Sequence, residues 1–72
     1  MGTLKELLPN IKSEVYIVDI EGIGIADDNP IKLKVILSDD ILNASVKYIT
    51  SYSGSRIKVA LDIHLKKMTK EQ

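Results

Sequence analysis

The chain has no cysteine, one histidine, and 10 acidic side chains against 10 basic ones in 72 residues. Each shortage excludes a class of chemistry. Without cysteine there is neither a disulfide staple nor a thiolate zinc site. With His64 as the only histidine, a two-histidine metal centre is excluded and acid–base schemes are few. A net charge of zero supplies no overall field to draw the chain toward nucleic acid or an anionic membrane, so any phosphate-binding surface must be local. No apolar run approaches the ~18 residues of a membrane span, and the first residues lack the apolar stretch of a secretory signal. The chain opens Met1-Gly2-Thr3, but Glu6 stands where a myristoylation signal requires serine or threonine. These features predict a cytoplasmic protein with no membrane partner.

What is present is an ordinary globular composition, 44% hydrophobic and 28% charged, which argues against disorder. The length predicts a single domain over 1–72. A domain this short buries only about 60% of the surface its unfolded chain exposes. Self-association is the remaining way to gain buried surface once disulfides are excluded.

Along the chain, Thr3 and Glu6 have capping-box spacing, and Leu4, Leu7, Leu8 and Ile11 share a helical face that Pro9 cuts short. From Glu14 the pattern changes to period two, with Tyr16, Val18 and Ile20 predicted inward. Ile23 and Ile25 continue that face only if one residue is inserted near Glu21-Gly22, as in a β-bulge with glycine in the left-handed position. Residues 31–37, IKLKVIL, alternate cleanly and predict a second strand. A hairpin through Ala26 to Pro30 would then pair Ile25 with Ile31 and Ile23 with Leu33, and set Glu21 near Lys34. Residues 38–54 read as a helix capped by Ser38 and ended by Gly54, although 44–53 also alternate as a strand. Residues 56–65 form the clearest strand, with Ile57, Val59, Leu61, Ile63 and Leu65 on one face. The tail 66–72 has no period and is predicted to fray. The resulting fold class is α+β: a small two-layer domain in the order α-β-β-α-β, with helices on one face of a three-stranded mixed or antiparallel sheet. The alternative is a β-rich small barrel with 44–53 as a strand.

Residues 20–30, IEGIGIADDNP, invite a ligand-binding reading that their pattern does not support. A dinucleotide loop needs a third glycine and a helix at the loop, whereas Gly22 and Gly24 sit within a predicted strand. Asp27, Asp28 and Asn29 lack the spacing and distal glutamate of a calcium loop, and suit a turn before Pro30. Ser51, Ser53 and Ser55 flank Gly54 without a nucleophile-elbow pattern, and His64 alternates outward beside Asp62. No catalytic, metal or cofactor-binding residues are assigned, and a site completed only between chains is the one enzymatic possibility left.

The outer sheet face holds the sequence's main functional suggestion. By alternation it carries Val15, Ile17, Ile36 and Ala60, ringed by Lys32, Lys34, Arg56, Lys58, Asp19, Glu21, Asp62 and His64. An apolar centre inside a rim of both charge signs is the composition of a self-complementary two-fold interface. The sequence therefore predicts a non-enzymatic protein-binding or assembly module, a homodimer or higher oligomer contacting through the sheet face or its edge strands. The alternative is a small nucleic-acid-binding domain in which Lys32, Lys34, Arg56 and Lys58 form a basic stripe, with Tyr16, Tyr48 or Tyr52 as stacking platforms.

Overall fold

The first turn of helix forms where the capping box places it. In the computed structural model, which describes residues 2–65, the Thr3 hydroxyl accepts the Glu6 N–H at 3.3 Å and the Glu6 carboxylate accepts the Thr3 N–H at 3.1 Å. Helix α1, Leu4–Leu7, passes directly into a 3₁₀ turn at Leu8–Asn10, where Pro9 removes the donor an α-helix would need next. Leu4 and Leu8 are buried by this arrangement, and Leu7 and Ile11 pack at the edge of the same core.

Strand β1, Val15–Val18, and strand β2, Gly24–Asp28, form an antiparallel hairpin. The parity break at Glu21-Gly22 is a chain reversal, not an inserted residue within one long strand. Asp19 makes that reversal: its Oδ1 accepts the N–H groups of Glu21 and Ile23, both at 2.9 Å, while its own carbonyl accepts the Gly22 N–H at 3.0 Å. Gly22 takes the expected left-handed conformation, φ 88°, in this turn. A register irregularity does occur, but between Ile17 and Val18, where β1 pairs with β2.

Residues 31–37 are not a strand. Helix α2 spans Pro30–Ile36, so the predicted pairs of Ile25 with Ile31 and Ile23 with Leu33 do not form. The reason lies just upstream: Asn29 is the N-cap, its side-chain oxygen accepting the Lys32 N–H at 2.8 Å, and Pro30 occupies the first turn, where its missing N–H is no loss. The cap and the proline outweigh the β-branched alternation that follows them. Leu33 then points into the core while Ile31 and Val35 face solvent.

The helix predicted over 38–54 stops early. Helix α3 covers Asp39–Leu42, after which β3, Val46–Ser51, takes over, so the alternative reading of 44–53 as a strand describes this half correctly. Its β-branched and aromatic residues, Val46, Tyr48, Ile49 and Thr50, favour the extended chain. Gly54, at φ 61°, ends no helix; it sits in the turn of the β3–β4 hairpin, closed by the Tyr52 N–H donating to the Arg56 carbonyl at 3.0 Å. Strand β4, Ile57–Leu61, lies inside the span predicted for it.

The four strands form one mixed sheet in the order β2-β1-β4-β3, with β1 and β4 parallel at its centre and antiparallel partners outside. The α+β class holds, while the order of elements and the strand count differ from the sequence reading. Leu4, Leu8, Leu33 and Leu42 of the helical segments meet Val15, Ile17, Val59 and Leu61 of the central strands to make the core. The chain start is tied to this sheet as well: Leu4 N–H donates to Ala44 and Val46 N–H to Gly2, both at 3.0 Å, and Thr3 bridges Ser45 in antiparallel fashion.

Candidate functional site

The structure does not gather the residues predicted for an outer sheet face. Val15 and Ile17 are fully buried in the core, Ala60 is buried on β4, and Ile36 is exposed on α2. Their parity was set by Asp19 and Glu21, which the fold places in the turn after β1. Within β1 itself every residue is apolar or aromatic, so the strand carries no polar marker of its own.

The four cations of the predicted basic stripe are divided in the same way. Lys32 and Lys34 lie on α2, whereas Arg56 and Lys58 lie at β4. Arg56 is already engaged, by Glu14 Oε1 at 2.9 Å and Asp27 Oδ2 at 3.2 Å. The Glu14 hydrogen bond, followed by the charge of Asp27, raises its pKa further. Lys58 is half-buried between its ladder neighbours Tyr16 and Thr50. Tyr16 stacks on Tyr52 with ring centroids 4.8 Å apart, so two of the three tyrosines cover each other.

The acidic residues near the first hairpin have structural work. Asp28 Oδ1 accepts the Asn29 N–H at 2.8 Å, and Asp27 faces Arg56. Asp19 is only 1% exposed, and its Oδ2 accepts the Leu65 N–H at 3.1 Å in addition to the two bonds on Oδ1. Burial pushes the pKa of this carboxyl up, but the backbone donors Ile23, Leu65 and Glu21 together outweigh it, so the group titrates below its ordinary range. With its acceptors occupied by backbone N–H groups, Asp19 is an organiser of the turn. Glu21 faces His64 at 3.4 Å and not Lys34. Among the described residues, no three metal-capable side chains come together. Ser51 ends β3 and Ser53 lends its carbonyl to the hairpin turn, accepting the Arg56 N–H at 3.1 Å.

Among the described residues, two surfaces hold most of the apolar side chains that meet water. The first is the outer side of α2, where Ile31 and Val35, one helical turn apart, are 81% and 79% exposed. Beside them runs an open groove of about 600 Å³ between the 3₁₀ turn and α2, floored by Leu8, Ile11 and Pro30 and bordered by Lys12 and Lys34. The sequence signal for this surface was Asn29-Pro30: read as cap and first helical residue, it turns Ile31 and Val35 to the side away from Leu33.

The second surface is the free edge of β3. Sheet order places β3 at the border, and Tyr48, Ile49 and Tyr52 are 43%, 38% and 48% exposed there. The direction of its backbone groups follows from the neighbouring hydrogen bonds. Tyr52 N–H points to β4, whereas Ile57, the residue opposite Ser51, gives its N–H to Glu14 on the other side. Ser51 and, two residues earlier, Ile49 therefore turn their N–H and C=O groups outward. Among the described residues, the edge is occupied at Val46, whose N–H reaches Gly2, and open beyond it.

No helix among the described residues is long and apolar enough to cross a membrane. No protein-family model, curated protein or solved structure matches this chain.

Proposed function

We propose that the chain is a non-enzymatic assembly module that works by associating with further copies of itself. The observation that carries this reading is where the large apolar side chains are left in water. Among the described residues, and apart from Ile23, they lie on α2 and on β3 with its turn: Ile31, Val35 and Ile36 on the helix, Tyr48, Ile49 and Tyr52 at the strand. Scattered apolar residues are normal on any surface, but clustered ones mark contact sites. The small core supplies a thermodynamic motive, since association buries apolar area at roughly 25 cal/mol per Å² before ordering costs are subtracted.

Multi-angle light scattering across a dilution series tests the reading. The expected result is a mass above that of the 8.0 kDa chain at high concentration, falling toward it on dilution. A mass of 8.0 kDa at every concentration overturns the proposal.

A further inference from the structure

We infer that the contact between copies is an antiparallel pairing of β3 with β3, with the two-fold axis passing through Thr50. This rests on the self-association reading and assigns it a partner, a register and a seam. The open backbone groups decide the register. Each copy's Ile49 N–H donates to the partner's Ser51 carbonyl, and each Ser51 N–H donates to the partner's Ile49 carbonyl, so every outward group of the open stretch finds a complement. An axis through Ile49 instead would satisfy that residue alone and bring Ser51 against the irregular Val46–Tyr48 segment.

Side chains agree with the Thr50 axis. Tyr48, Thr50 and Tyr52 share one face of the strand, so Thr50 meets its own copy and Tyr48 meets the partner's Tyr52 on either side. Tyr52 is held in place by its stack on Tyr16, which presents a fixed ring to the incoming Tyr48. The one charge on the strand, Lys47, falls opposite the partner's Ser53, so no like charges meet. Between Tyr48 and Tyr52 the edge has no proline and no charged side chain, the devices by which sheet borders usually repel other strands. The paired stretch ends at Tyr48, two residues short of Val46, whose edge Gly2 already fills. A second copy is thus the occupant that matches the seam in length, in hydrogen bonding and in charge.

The test uses the full chain with Thr50→Lys and Thr50→Glu. Thr50 is exposed and its side chain leaves the core untouched, so both variants should keep the native circular dichroism. Each alone should dimerise about tenfold or more weakly, because two like charges face each other across the axis. Mixing the two variants should restore the dimer as a one-to-one hybrid. Variants that remain dimeric, or a mixture that stays monomeric, overturn the Thr50 axis while a native dimer leaves the assembly reading standing. A native chain that is monomeric throughout overturns both. Hydrogen–deuterium exchange on the unaltered chain gives a readout that does not depend on the variants folding. The Ile49 and Ser51 amides should slow with rising concentration, and fast exchange in the dimer would remove the seam.

Discussion

Asp19 is the only charged side chain buried among the described residues, and its acidity should be visible in the stability of the fold. Its folded pKa lies below the ordinary carboxylate value of about 3.9. The unfolded chain therefore binds the proton first, and the stabilisation is complete above that ordinary value. It is lost as pH falls through the lower, folded one. Melting curves of the native chain and Asp19→Asn over an acid series should show a lower midpoint for the variant at neutral pH and a shallower decline toward acid. Parallel curves would mean that Asp19 ionisation is not coupled to folding. Gly22 offers a second residue-scale test. A Cβ there meets no atom within 4 Å, so Gly22→Ala acts through its φ of 88° alone and should cost about 1–2 kcal/mol in urea unfolding. No loss would show that the turn can be made with negative φ.

Among the elements, α2 separates core from surface most sharply. Leu33→Ala should cost about 2–5 kcal/mol because it empties a fully buried position. The double change Ile31→Lys with Val35→Lys should stay within about 0.5 kcal/mol per site, measured by denaturation at a dilution where the chain is monomeric. If the order were reversed, the helix would be packing the other face. The same helix shows how far the sequence could be read. The Thr3–Glu6 cap, the strand from Ile57 and the left-handed conformation of Gly22 were legible because each is encoded by residues within a few positions of one another, although the sequence predicts Gly22 in a bulged strand and the fold places it in a turn. IKLKVIL alternates as a strand would, but the Asn29 cap and Pro30 just ahead of it start a helix, whose Leu33 then packs into the core. VYIV was legible as a strand but not as to which side faces inward, so Val15 and Ile17 were assigned to the surface they do not reach. The candidate site inherited both errors. Of its predicted apolar members only Ile36 is exposed, and Ile31 and Val35 were missed.

For the whole molecule, the decisive contact is the parallel ladder joining β1 to β4, in which Val15 lies beside Ile57 and Ile17 beside Val59. Nothing local in either segment encodes that pairing. This is why the α+β class could be anticipated and the strand order could not. A peptide ending at Ser55 lacks β4 and with it Val59 and Leu61, so it should show no cooperative thermal transition by circular dichroism. A sharp transition would mean that the first hairpin and the helices hold a core by themselves. The tie between Gly2 and Val46 has a practical corollary. Because Thr3 and Ser45 run in opposite directions, a peptide extended from Gly2 along the same line would follow the border of β3 that is open among the described residues. An amino-terminal affinity tag would act as a tethered decoy ribbon, competing in cis with the pairing proposed for β3, whereas a carboxy-terminal tag is not delivered there by that tie.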